Sequence, residues 1–597
     1  MQDNNPFKVK SPEKITAEET ISLFVNVFND FPDILIHGDS FINGPRGSGK
    51  SMMFRYMLPD AQVIKQDCNY SELSYFSTYI PIKATDFDKV ELYRLKEQAQ
   101  KVINEHILST HIAVMFFSDL LKYKVEFSDD DFETLKAFLK IEFKRMLRKV
   151  GYKNFQDIDF KSVDELLVAL LDVCEEMHYE ASDYCDRIGF QNEGISPYMG
   201  SLCSYLHFLH PLLTKFSQLH SIPSYLYILI DDADNLNTTQ KQVLNSWVYY
   251  RLGTNISLKI STQMRYNVYL TLSGQTIDSP HDYSEVNISN VYTSSKNKYK
   301  ELIHDIVQRR LVEFKLPNTN PNDFFPEYKK QEEAINKIYK YYIKQFEEGK
   351  SRGSKKFDDA NRYSRPDYIK ELKSSSKQGS SYFYSGFNQL IHLSSGIVRY
   401  FLESSTYMYS EMLKNSTKKE IEFISPTVQN KVSRAYSNEF LFEEFEKHKK
   451  TAKLRGYSSD NIRYLRNLID ALGGLFSAIL LSNASERRVF SVAISNEPDE
   501  LITEVFELGV GLGYFQISTI GNKEGTGRTR LYVMNRRLAP VFTLDPTSFA
   551  GYKFLRNEEL KLAILDPQNF IRSMKKKLSL NVEEDLYVND QLELFEE

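Results

Sequence analysis

Eight consecutive residues, Gly44-Pro45-Arg46-Gly47-Ser48-Gly49-Lys50-Ser51, follow the pattern G-x-x-x-x-G-K-[ST]. Glycines at 44, 47 and 49 let the backbone take positive φ and turn its amides inward. That makes a nest for a polyanion at the start of a helix. In it Lys50 would bridge the β- and γ-phosphates and the Ser51 hydroxyl would ligate Mg²⁺, with Gly44 through Met52 forming the cradle. A second acidic site ends the apolar run at 225–230, where Asp231-Asp232-Ala233-Asp234 follows Tyr-Leu-Tyr-Ile-Leu-Ile. Asp231, at a strand's C-terminal end, is placed to hold Mg²⁺ through water. Asp232, one residue on, points to another side and is placed to polarise an attacking water. Asp234 reads as the cap of a helix over 238–250. Together these residues describe a nucleoside-triphosphate site.

Such a site needs strands to carry its loops and a helix to receive the phosphates. The segment 34–42 reads as a strand before the loop, and Met52, Met53, Tyr56 and Met57 give helical spacing after it. The continuous apolar run 225–230 suits a buried parallel strand. Residues 79–84 suit a second core strand, with Pro81 hinting at an edge. The distance along the chain from Lys50 to Asp231 far exceeds one strand–helix–strand crossover, so an insertion is expected over about 86–220. It reads helical: Phe132, Leu135, Phe138, Leu139, Phe143, Met146, Leu147 and Val150 form a core stripe, with Ser128 as cap and Gly151 after the last turn.

The chain has 597 residues with 75 Lys plus Arg against 80 Asp plus Glu, a net charge of −5, which excludes a globally basic nucleic-acid coat protein. A hydrophobic share of 42% argues against disorder as the main state. Four cysteines, none in a CxxC pair, suggest neither a disulfide framework nor zinc. No apolar run approaches a membrane span, and the first residues show no apolar secretory region. A soluble, cytoplasmic protein with no membrane association is the expectation. The dipeptides His281-Asp282 and His304-Asp305 lack further ligands at metal spacing and read as turn and helix residues. No Ser-His-Asp or Cys-His arrangement has local support.

With these motifs in place, the chain resembles AAA+ ATPases, most closely the bacterial ORC/Cdc6-like type. The resemblance starts at Asn5-Pro6-Phe7, runs through the 44–51 loop and Asp231-Asp232, and extends to about residue 415. It implies ATP and Mg²⁺ as ligands. It also places sensor 1 at the tip of strand 256–263, at Thr262 or Gln263, and sensor 2 at Arg399 in Gly396-Ile-Val-Arg399. An arginine finger is implied at Arg309 or Arg310, ahead of a strand-like 311–316. In two respects the chain departs from the family pattern. The residue after the Mg²⁺ aspartate is usually Glu, whereas Asp232 is one methylene shorter, and a DD pair also occurs in slow, STAND-type switches. The crossover to that aspartate is also lengthened by the insertion.

The implied fold is α/β: an AAA+ P-loop core over 1–320, a helical lid over 321–415, a winged-helix-like domain over 430–555 and a tail over 556–597. The lid carries a polar segment, 349–380, with nine Lys/Arg against four Asp/Glu. It reads as either a DNA-contacting loop or a flexible solvated insertion. After a linker near 415–419, the sequence suggests helices at 462–481 and 500–508, a strand at 488–494, and a hairpin of 515–520 with 530–535. Lys523, Arg528 and Arg530 decorate the expected wing, and Lys447, Lys449, Lys450, Lys453 and Arg455 cluster upstream. These could neutralise DNA phosphates, but Glu497, Asp499, Glu500, Glu504 and Glu507 on the would-be recognition helix oppose it, so protein docking competes. Gln591-Leu592-Glu593-Leu594-Phe595 resembles the bacterial sliding-clamp-binding pentapeptide, departing at Glu593. Clamp binding and packing on its own protein are both open for this tail. The expected function is an ATP-binding and hydrolysing switch in bacterial DNA maintenance or anti-phage defence, acting as a homo-oligomer or on an effector. An ATP-bound scaffold with little turnover is the alternative from another class.

Overall fold

The computed structural model describes residues 5–25, 31–83, 87, 89–155, 159–191, 194–253, 255–263, 266, 268–288, 298–374, 381–415, 421–451, 458–521, 528–547 and 551–578. It divides into two compact units, Lys10–Ser289 and Met1–Val9 with Asn290–Glu597.

The first unit is built on β1 (Ser40–Asn43), β2 (Phe76–Pro81), β3 (Leu226–Asp231), β4 (Ile256–Thr262) and β5 (Ser284–Asn287). These pair in parallel in the order β2-β3-β4-β1-β5. Every residue of β3 and β4 is buried; β3 does this as an apolar run, whereas β4 also buries Ser257, Lys259, Ser261 and Thr262, with the Lys259 ammonium donating to the Ile36 and Gly38 carbonyls at 2.7 Å each. β2 has a neighbour on one side only and ends at Pro81, where a missing N–H costs the ladder nothing. β1 is shorter than the expected 34–42. Its first part is a helix, Phe31–Leu35, and Gly38 at φ +123° turns the chain before the strand begins. The short, half-polar β5 carries no clear sequence signal.

The insertion is helical and shares the sheet's core. Glu97–Tyr123 and Val163–Ile188 are its long helices. Phe116 meets Phe76 of β2 at 6.2 Å and Phe216 at 5.4 Å, both edge-on. The stripe from Phe132 to Val150 is two helices, Asp129–Phe138 and Lys144–Val150, joined by a π-turn at Leu139–Phe143. The extra residue keeps Phe138 and Phe143 both in the core although they are five positions apart. Ser128 caps the first helix by accepting the Asp131 N–H, and Gly151 ends the second at φ +91°.

In the second unit, Asn5–Phe7 belong with the helices that follow residue 290: Asn5 Nδ2 donates to the Thr406 carbonyl at 2.9 Å, and the Phe7 ring lies 5.6 Å from Phe325. Two expectations change here. Residues 311–316 begin inside a helix, Tyr299–Glu313, because Tyr299, Leu302, Ile303, Val307 and Leu311 are buried at helical spacing while Val312 is exposed. The polar segment 349–380 is not a solvated loop over most of its length. Asp358–Ser374 is a helix that buries Ala360, Tyr363, Pro366 and Ile369, with Arg365 bonded to Glu332 at 2.7 Å. Pro366 inside that helix, and its charge density, hide it from periodicity.

Farther on lie the helix Ser459–Leu481, β6 (Val489–Ile494), the helix Glu500–Gly511, β7 (Phe515–Gly521) and β8 (Arg528–Met534), in the expected order. A fourth strand, β9 (Gly551–Leu555), joins a sheet ordered β7-β8-β6-β9, parallel to β6. One helix separates β6 from β7. The stretch from 556, read as tail, continues as helices Asn557–Leu565 and Pro567–Lys577 against Ser459–Leu481. Among the described residues Ser459–Leu481 is the one helix long and apolar enough to cross a membrane. In this unit it is a core helix, with Leu465, Leu468, Leu472 and Leu475 buried.

Candidate functional site

The site lies at the C-terminal ends of β1, β3 and β4, all within the first unit. β1 runs into the glycine loop, whose start is tied to the sheet by Gly44 N–H donating to the Thr262 carbonyl at 3.2 Å. Gly47 sits at φ +87° and Gly49 at φ +106°, so the loop makes the left-handed steps that face amides inward. Gly49 is the N-cap of Lys50–Met57, which brings the positive end of that helix to the nest. A side chain at Gly44 would put its Cβ 3.0 Å from Ser48 Oγ and 3.2 Å from Ile288 Cβ. The Lys50 ammonium donates to the carbonyls of Gly44 at 2.7 Å and Pro45 at 3.2 Å. Two carbonyls of its own loop thus hold a buried cation where phosphate oxygens can replace them.

Asp231 ends β3 and is buried. Its carboxylate accepts from the Tyr79 hydroxyl at 2.7 Å, from the Ser261 hydroxyl and from the Asp232 N–H at 3.1 Å, and the nearby Ser51 hydroxyl also favours its charged form. Burial first, then the neighbouring Asp232 charge, raises its pKa above the usual carboxylate value; the hydroxyl donors oppose this. Asp232 takes a left-handed conformation, φ +55°, which turns it away from the strand direction. Its Oδ1 receives Gln263 Nε2 at 3.3 Å.

Of the two sensor-1 candidates, Gln263 therefore faces the acidic pair. Thr262 is fully buried, and its hydroxyl donates to Asn43 Oδ1. Asp234 does not cap the following helix. Asn237 does, in a capping box with Gln240, and the helix is Thr238–Tyr249. The chain turns through Ala233–Asn235, which carries Asp234 back to accept the backbone N–H of Gln263. Burial raises its pKa, while that N–H and the charge of Lys50 pull it down. Tyr79, Ser261 and Asp234 are thus members of the site that motif reading does not assign; Asp234 alone had a signal, as the last acid of the DDAD run.

The donor set fits a nucleotide with its cation: a glycine nest, a lysine, and a serine hydroxyl near an aspartate. Among the described residues no group of three or more His, Cys, Asp or Glu could hold a metal unaided, so a divalent ion here would draw on phosphate oxygens and water besides Ser51 and Asp231.

The remaining candidates lie in the second unit. Arg399 is the second residue of the helix Val398–Asn415, after Gly396 at φ +80°, and its Nε lies 3.9 Å from Glu403 Oε1. Arg310 donates to the Pro6 carbonyl at 2.8 Å, and burial pushes its pKa down to about 10. Arg309 is exposed on the same helix. Arg530 pairs with Glu507 at 3.0 Å, and Arg528 is exposed at the start of β8. Lys523, Lys453 and Arg455 lie outside the described residues, as do positions 416–419 of the linker and Gln591, Leu592, Leu594 and Phe595.

A parallel sheet with a glycine nest after β1, an acidic pair after β3 and a polar tip on β4 defines an AAA+ P-loop ATPase core. The chain belongs to the ORC-CDC6-like family, whose model matches residues 5–361 and 334–554. That family implies AAA+ ATPase activity with ATP and Mg²⁺. No curated protein matches the chain.

Proposed function

We propose that the protein is a switch that binds and hydrolyses ATP. The observation carrying this reading is the convergence of Lys50, Ser51, Asp231, Asp232 and Gln263 at one end of the sheet. The triphosphate would lie in the nest, with Lys50 exchanging two carbonyls for phosphate oxygens. Mg²⁺, when bound, supplies charge neutralisation between the phosphates. Ser51 would meet it directly and Asp231 through water. Asp232, its carboxylate aimed by Gln263, would orient the attacking water. Arg399 from the lid would read the γ-phosphate. Arg309 or Arg310 would serve as the finger for a neighbouring copy. Loss of the γ-phosphate then releases these arginines and shifts the lid and C-terminal domain.

The setting we propose is bacterial DNA maintenance or anti-phage defence in the cytoplasm, as a homo-oligomer or with an effector. The C-terminal domain, read as winged-helix-like, would contact DNA through Lys523, Arg528 and Arg530, or a protein. The tail at Gln591–Phe595 would take a sliding clamp.

Phosphate release by wild type against Lys50→Ala and Asp232→Ala tests this. Wild type should turn over and both variants should lose at least tenfold. An ATP-bound scaffold is the second reading, favoured by the short Asp232 side chain with Gln263 on its Oδ1. A wild type that binds ATP tightly but is no faster than the variants would establish the scaffold.

A further inference from the structure

Asp231 is more completely partnered than its place in the acidic motif explains. An ionised carboxylate offers about four lone-pair sites. Here three donors meet it: the hydroxyls of Tyr79 and Ser261 and the N–H of Asp232. They hold the carboxylate plane and leave about one lone-pair site for the water that would carry the cation.

Tyr79 reaches this place from the edge strand. It stands opposite Leu229 in the β2–β3 register, two residues short of the Asp231 level. Two residues of strand are about 6.6 Å, within reach of a tyrosine side chain leaning along the strand. Tyr79 lies on the same face as Ser77, whose hydroxyl bonds the Met57 carbonyl at the end of the phosphate-loop helix. Ser261, on the other neighbouring strand, both donates to Asp231 and accepts the Asp232 N–H at 2.9 Å. One acidic group is thus held from both flanking strands of a rigid sheet.

We infer that Tyr79 is a positioning residue for the divalent cation: with Ser261 it fixes the Asp231 carboxylate so that the water carrying the ion meets a pre-aimed acceptor. This rests on the reading that Asp231 serves Mg²⁺. Tyr79 itself touches neither ion nor phosphate in this scheme, so its loss weakens the ion and leaves the nucleotide's own affinity in place. Removing a partner that orients a metal's ligand costs ten- to a hundredfold in metal affinity as a rule, and a shared load between two hydroxyls puts Tyr79→Phe at about tenfold.

The test is binding of a fluorescent ATP analogue to the full chain in EDTA and across a Mg²⁺ titration. Tyr79→Phe should leave the EDTA affinity within twofold of wild type and raise the Mg²⁺ half-saturation about tenfold. Ser261→Ala should move it the same way, and provides the test if the tyrosine variant misfolds. Asp231→Asn is the control for the underlying reading: if wild type gains nothing from Mg²⁺, or Asp231→Asn keeps the gain, Asp231 does not serve the ion. If Asp231→Asn loses the gain while the folded Tyr79→Phe or Ser261→Ala titrates like wild type, or weakens equally in EDTA, the positioning role is overturned.

Discussion

Asp234→Asn separates geometry from charge in the acidic turn. The Asp234 carboxylate accepts the backbone N–H of Gln263, and the Gln263 side chain in turn donates to Asp232. Asp234 therefore acts on Asp232 through one residue, by holding the end of β4 in place. Asparagine keeps an acceptor of the same shape and removes the charge. A hydrogen bond to a charged acceptor contributes about 1.5–3 kcal/mol and a neutral one about 1, so the substitution weakens the tether by about 0.5–2 kcal/mol. If the loosened tether is felt when the water is aligned, kcat falls about tenfold, since 1.4 kcal/mol is a factor of ten. ATP binding should not weaken, because Asp234 hydrogen-bonds the sensor strand and touches no phosphate in this scheme, and removing its charge near Lys50 can only favour the polyanion. The assay is steady-state phosphate release paired with equilibrium nucleotide titration. An unchanged kcat, or kcat and affinity falling by the same factor, would refute the tether.

Two further outcomes follow from the structure. Gly49→Ala places a side chain at φ +106°, which costs at least about 1 kcal/mol; it should lower both the melting temperature and ATP affinity, measured by thermal unfolding and titration. His106 is fully buried, accepts the Cys203 N–H on Nδ1 at 2.8 Å and meets the Met177 carbonyl through Nε2 at 2.9 Å, so it is neutral. Burial lowers its pKa to about 4. The unfolded chain binds its proton first, so stability falls as pH drops from about 6.5 towards 4, by about 3 kcal/mol in all. Chemical denaturation should show that slope in wild type and a shallower one in His106→Gln; equal slopes would remove His106 as its source.

How much of the site could be read in advance depended on how local each interaction is. The glycine nest, Lys50 and Ser51 are consecutive, and their chemistry follows from backbone freedom at Gly47 and Gly49. The run 225–230 points to a buried strand because it is too short for a buried helix and ends in turn-forming acids, and the strand is Leu226–Asp231. Where local and tertiary demands differ, expectation and structure part. Residues 311–316 alternate like a strand, but Leu311 completes a helical stripe begun at Tyr299. Asp234 looks like a cap, but Asn237 is better spaced for the helix, and the turn at Ala233–Asn235 sends Asp234 to β4 instead.

What the amino-acid sequence determined by itself is which groups are supplied: glycines for a positive nest, a lysine and a carboxylate at a strand end, the set that a triphosphate with a divalent ion calls for. What the tertiary structure decided is how that carboxylate is held. Tyr79 and Ser261 stand far from Asp231 along the chain and meet it because the sheet sets β2 and β4 on either side of β3. No spacing rule encodes that meeting, since strand order is settled by the burial of whole faces and not by the residues at one strand's tip.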